Sequence, residues 1–215
     1  MGIVVVLAHS KGGTGKTTTA TQLADELGIT NIADIDSHTG LSIINRMRPD
    51  HRRWNLVDCS SEEALAKAIY ASLDGPEHLL IDCGGFDSRL ARIAIGMATI
   101  VITPANDDIT EQIGLSKFNT VIQDINDRNG TKVKAHVLMT RTHPSRRNFE
   151  SITAVVNKTP NLTMLNSRLS SRAIFPLMMA RHGSGVTAFT KNLGTEAFAE
   201  VKALGDEIRT LLSAR

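Results

Sequence analysis

Residues 2 to 27 constrain the fold more than any other part of this chain. Gly2-Ile3-Val4-Val5-Val6-Leu7-Ala8 is a continuous apolar run rich in β-branched residues, as in a strand covered on both faces. It leads directly into Lys11-Gly12-Gly13-Thr14-Gly15-Lys16-Thr17-Thr18, after which Ala20, Leu23, Ala24 and Leu27 recur at helical spacing. Strand, glycine turn and amphipathic helix in this order belong in a sheet flanked by helices. The turn also gathers backbone N–H groups at the positive end of a helix, which favours an anion. The phosphate-binding pattern G-x-x-x-x-G-K-[ST] falls on Ser10 to Thr17, with Ser10 in place of the first glycine. It assigns Gly12, Gly13, Thr14, Gly15, Lys16 and Thr18 to the phosphates of a nucleotide, and the Thr17 hydroxyl to Mg²⁺.

The rest of the chain alternates in the same way. Strand candidates fall at 30 to 35, 78 to 83, 98 to 103, 133 to 139 and 162 to 165; helical patterns fall at about 61 to 73, 87 to 96, 108 to 127, 145 to 157 and 194 to 213. The expected fold is α/β, a doubly wound and mostly parallel sheet with helices on both faces. With 41% hydrophobic residues in 215 and no linker-like tract, a single domain over 1 to 215 is expected. No run of about eighteen apolar residues occurs, and the strand begins too early for a signal peptide, so a soluble, cytoplasmic protein is expected. Cys59 and Cys83 have no metal-ligand spacing, and the seven histidines form no zinc pattern.

Two strand ends carry acids. Leu79-Leu80-Ile81-Asp82 is the Walker B arrangement, an apolar strand ending in a carboxylate for Mg²⁺. Ile32-Ala33-Asp34-Ile35-Asp36 ends another strand and places a second acid, Asp36, at its end. Ser37-His38 follows it, and Gly84-Gly85-Phe86 follows Cys83; glycines there permit the backbone changes of a loop that senses the γ-phosphate.

Lys11, five residues before Lys16, makes the loop resemble the deviant Walker A loop of the ParA/MinD superfamily of ATPases. The glycine pair 84–85 resembles the short, plasmid-type partition members. The resemblance implies a P-loop ATPase with ATP and Mg²⁺ as cofactors and weak intrinsic hydrolysis. It also implies an ATP-bound homodimer in which Lys11 reaches across to the other subunit's phosphates. The catalytic residues are then Lys11, Lys16 and Asp36; the metal residues are Thr17, Asp36 and Asp82; Gly84 and Gly85 form switch II. Asn166-Ser167-Arg168-Leu169-Ser170 resembles a family stretch that contributes a DNA-contacting arginine, here Arg168, and Lys191 falls near another basic contact. Adenine contacts are implied at Arg141 and Asn166.

Charge supports a polyanion partner. The formal net charge is only +2, yet residues 128 to 191 hold eleven Lys or Arg against the single acid Glu150. Elsewhere thirteen bases face twenty-one acids. The expected partner is non-specific DNA, bound through phosphates by Arg146, Arg147, Lys158, Arg168, Arg172 and Lys191. In full, the sequence predicts a DNA-partition ATPase, nucleoid-associated when ATP-bound and stimulated by a centromere-binding, ParB-type protein. The alternatives are a positioning ATPase for a conjugation cargo, a MinD-like membrane-associated ATPase, and a small metabolic enzyme of related fold. The last helix mixes Glu196, Glu200, Lys202, Asp206, Glu207 and Arg209 on its polar side, so no membrane contact is expected.

Overall fold

In the computed structural model, which describes residues 1–36, 39–85 and 87–214, the first strand β1 (Val4–Leu7) is wholly buried. Successive side chains of a strand point to opposite faces, so Val4 and Val6 enter one apolar layer while Val5 and Leu7 enter the other. The remaining strands are β2 (Asn31–Asp34), β3 (Asn55–Leu56), β4 (Leu79–Asp82), β5 (Ile100–Ala105), β6 (Ala135–Thr142) and β7 (Leu162–Ser170). They form one sheet in the order β3-β2-β4-β1-β5-β6-β7, and every pair is parallel. The mostly parallel sheet expected from the sequence is entirely parallel.

Helices cover both faces. The Val4 layer packs under α3 (Glu62–Asp74), α4 (Arg89–Met97), α5 (Ile109–Asn129) and α6 (Glu150–Asn157). The Val5 layer packs under α1 (Lys16–Leu27), α2 (Gly40–Arg46), α7 (Ile174–His182) and α8 (Glu196–Ser213). Hydroxyl and carboxylate caps begin several of them: Ser61 accepts from Ala64 N–H, Ser88 from Ala91 N–H, Asp108 from Thr110 N–H and Thr195 from Phe198 N–H.

The structure departs from the sequence reading in four places. The helical pattern from 145 starts only at Glu150, because residues before it form a loop in which Asn148 caps the Glu150 N–H. β7 runs past 165 to Ser170, because carboxylates of α8 accept its polar stretch: Glu207 takes the Asn166 and Ser167 N–H groups, and Glu200 takes that of Ser170. In the helical pattern at 108 to 127, the apolar Ile109 and Ile113 stay out of the core, 68% and 58% exposed. Finally, β3, α2 and α7 have no counterpart among the expected elements.

Arg48 joins three of the unanticipated parts. Its buried guanidinium meets Asp25 of α1 at 2.6 Å, donates to the carbonyls of Gly183 at 2.7 Å and Arg52 at 2.6 Å, and lies 4.0 Å over the Trp54 ring. Gly183 has a φ of 59°, and a Cβ there would come within 2.5 Å of the Ile44 carbonyl, so the chain can pass this close to α2 only as glycine. Removing one member of a buried pair leaves the other charge uncompensated. Arg48→Met is therefore expected to lower the free energy of unfolding by about 3 kcal/mol, read from urea melts, and Arg48→Lys recovers little because lysine has no planar fork.

Candidate active site

β1 and β4 lie side by side with Leu7 opposite Asp82, which places the glycine loop and the carboxylate together at the carboxyl edge of the sheet. Gly13 and Gly15 have φ of 75° and 98°, left-handed values that keep side chains out of the turn and let α1 begin at Lys16. The Thr17 hydroxyl donates to Asp82 Oδ2 at 2.8 Å. Lys16 is buried beneath the loop, its Nζ donating to the Lys11 carbonyl at 3.0 Å. Burial holds its pKa below the ordinary lysine value, against the pull of Asp82 and Asp36.

Asp82 is fully buried, and its Oδ1 has no hydrogen-bond donor among the described residues. Burial pushes its pKa up to about 7; the Thr17 hydrogen bond opposes the shift and neighbouring Asp34 adds to it. Asp34 itself accepts from the Ser42 N–H at 2.8 Å and the Ser42 hydroxyl at 3.0 Å, tying the start of α2 to β2. A buried carboxylate oxygen without a donor, beside a hydroxyl oxygen, fits a divalent cation.

The loop faces a cavity of about 1100 Å³. Its floor is Gly12, Gly13, Gly15 and Lys16 to Thr19, with Asp36 and Gly85 to one side; the far wall is Thr140, Arg141, Leu169 to Ala173, Phe175 and Pro176. Gly85 touches the loop itself, since a Cβ there would lie 2.9 Å from Gly12 N. A Cβ on Gly84 would lie 3.4 Å from Asp36 Oδ1, so the glycine pair also brings the two acidic strand ends close. Ser37, His38 and Phe86 lie outside the described residues.

Of the residues expected at the adenine, Arg141 lines the cavity and Asn166 does not. Arg141 adopts φ 57°, a strained value for a side chain of its size, and its guanidinium donates to the Gly13 carbonyl. Asn166 is drawn off by Glu207, to which both its N–H and its Nδ2 donate. The six expected DNA residues also divide. Arg146, Arg147 and Arg168 converge on the loop after β6, where Arg147 and Arg168 donate to the Pro144 carbonyl and Arg146 pairs with Asp107. Lys158 closes the other end of α6, about 12 Å away at 1.5 Å per residue. Lys191 lies over the Phe189 ring, and Arg172 is part of the cavity wall, paired with Glu196 at 2.7 Å and Glu200 at 2.9 Å.

The Lys11 ammonium points out of its own cavity. It donates to Thr110 Oγ1 at 2.7 Å and lies 3.4 Å from Glu111 Oε2, both on the first turn of α5. Glu111 and its buried neighbour His9 escaped the sequence reading, since residues so far apart in the chain leave no local spacing to find.

The sequence model of the family described as ATPase MipZ matches residues 45–183. Over 153 residues the chain is 28% identical to the protein ParA of Rhizobium radiobacter, covering 68% of each. Its fold is similar to that of a putative plasmid partition protein from Borrelia burgdorferi B31 bound to AMPPNP, with TM-score 0.67, 13% identity and 98% and 100% of the two chains covered. It is similar also to MinD of Aquifex aeolicus, with TM-score 0.70, 14% identity and 97% of each chain covered.

The raised pKa of Asp82 has a definite sign. A carboxyl protonated more readily in the fold than in the unfolded chain contributes stability below about pH 4, and this is lost as pH rises toward 7. In metal-free buffer Asp82→Asn should therefore match wild type near pH 4 and exceed it at pH 8 by on the order of 3 kcal/mol in chemical unfolding. Added Mg²⁺ should narrow that gap by stabilising only the wild type.

Proposed function

The chain belongs to the MipZ family of ATPases, within the ParA/MinD superfamily, and on that premise we propose that it is a DNA-partition ATPase working as an ATP-bound sandwich dimer. Residues 1 to 215 act as one domain. ATP enters the 1100 Å³ cavity, with the backbone of Gly12 to Thr18 around the phosphates and Arg141 on the far wall. Thr17 and Asp82 would hold Mg²⁺, which fits the Asp82 oxygen that has no donor among the described residues. Bound there, the cation would supply charge that neutralises the phosphates. Lys16 turns its ammonium from the Lys11 carbonyl to those oxygens. Asp36, on the cavity wall, orients the attacking water, and Gly84 and Gly85 follow the γ-phosphate as it leaves.

One observation carries the dimer. The Lys11 ammonium faces away from its own cavity, toward α5, whose Ile109 and Ile113 are exposed on the same turn. A lysine aimed outward beside an apolar pair suits a partner surface that buries the isoleucines and receives the charge. Positive charge supplied in trans couples hydrolysis to pairing. Arg146, Arg147 and Arg168 then form the nearest basic group for DNA phosphates, and a centromere-binding, ParB-type protein accelerates hydrolysis and release. The intrinsic rate is weak because one chain lacks the second lysine. On α8, Val201, Leu204 and Ile208 are spent in the core, which argues against a lipid-binding last helix.

Lys11→Ala should retain ATP binding while its hydrolysis falls at least roughly tenfold and sedimentation with ATP finds only monomer. DNA binding by wild type should require ATP and weaken with salt at a log–log slope near −4.5 for about five phosphate contacts. Binding without ATP, or insensitive to salt, would contradict the assignment. Recovery of a relaxase rather than a centromere-binding protein in a pull-down would shift the cargo to conjugation.

A further inference from the structure

Lys11 rests where a cation is not at home. The first turn of α5 is the positive end of the helix dipole, which disfavours an ammonium. Thr110 offers only a neutral oxygen. Glu111 supplies the compensating charge close by: its side chain has no exposure, while that of Lys11 is 37% exposed. Asp108, the cap of the same helix, adds a second carboxylate, held below the ordinary range by its bonds to Thr110 and by Lys11.

Glu111 is anchored from behind. Its Oε1 lies 2.9 Å from Nε2 of the buried His9, whose Nδ1 accepts the Lys11 N–H at 2.9 Å. With Nδ1 taken by the Lys11 N–H, Nε2 is the ring nitrogen left to face Glu111, at ion-pair distance though outside hydrogen-bond geometry. The ring stacks on Phe118 and fits because residue 114 is glycine; a Cβ there would lie 2.9 Å from His9 Cε1. Ser10 Oγ donates to the Gly114 carbonyl at 2.8 Å. Burial acts to raise the Glu111 pKa, but His9 and Lys11 outweigh it and leave the group below the usual carboxylate range. One oxygen is therefore fixed to the core, and the other faces the movable ammonium.

We infer that Glu111 is a positioning residue for Lys11: its buried carboxylate holds the ammonium in cis on α5, and the lysine reaches a second subunit only when that contact is released. The inference rests on the reading in which Lys11 acts across a dimer. It makes the first turn of α5 a latch, since Ile109 and Ile113, which a second copy would cover, stand on the turn that holds the lysine. Lys11 can leave without opening the core. Glu111 stays paired with His9 and can take the lysine back after the subunits part.

The test is ATPase rate per chain against protein concentration, with ATP and Mg²⁺, for wild type, Glu111→Gln, Thr110→Val and Lys11→Ala. Gln keeps an acceptor for His9 and removes the charge. The midpoint concentration of Glu111→Gln should fall about tenfold with the plateau rate kept, because two ammonium groups no longer have to leave a partly exposed pair. Thr110→Val should shift it less, in the same direction, and serves alone if Glu111→Gln melts early by circular dichroism. A merely structural role would lower the plateau and leave the midpoint. Unchanged or raised midpoints in both variants overturn the latch while Lys11→Ala remains inactive. Concentration-dependent hydrolysis by Lys11→Ala would instead overturn the trans role on which the latch depends.

Discussion

The hydrogen bond from Thr17 to Asp82 is the contact on which the rest of the site depends. It exists because two buried parallel strands, β1 and β4, are paired in a register that sets Leu7 beside Asp82. A one-residue slip would turn every side chain of either strand to the other face and place core residues where the carboxylate must be. The same pairing buries Asp82, and burial makes its charge costly without a counterion. Sheet and candidate cation site are thus one arrangement: the order that fills the two apolar layers also leaves an acid beneath the loop.

Around this centre, positive charge is placed for different tasks. Lys16 is buried and turned to the loop's own backbone, whereas Lys11 is turned outward and held by α5. Arg48 closes the fold on the α1 and α2 side, and Arg172 is neutralised by two glutamates of α8 at the cavity wall. Net charge said nothing of this division. A run of bases in sequence becomes, in the fold, separate groups: Arg128 pairs with Asp124, Arg172 with Glu196 and Glu200, and Arg146, Arg147 and Arg168 gather at the loop after β6.

The legible parts of the chain were those whose signal is local. β1, the glycine loop and the first helix are contiguous, and Asp82 ends an apolar run that can hardly be anything but a buried strand. β3 is only two residues long, and its exposed Asn55 and Leu56 show no apolar alternation. α2 spans seven residues behind a left-handed Thr39, with no cap from a side chain, so neither period nor cap announces it. The extension of β7 depends on glutamates some thirty to forty residues further on. Asn166, expected at the adenine from its position in a motif, donates to Glu207 and is not part of the cavity lining, and motif spacing carries no information about such a partner.

By itself the sequence determined the fold class, the glycine loop and the acid that faces it, because strand burial, glycine geometry and helix initiation act between neighbours in the chain. Only the tertiary structure decided which charges meet. Asp82 gains Thr17, Arg172 gains Glu196 and Glu200, and Lys11 gains Glu111 through residues 65 to 100 or, for Arg172, about 25 positions away. Electrostatic energy depends on distance and on the water excluded between groups, and both are properties of packing.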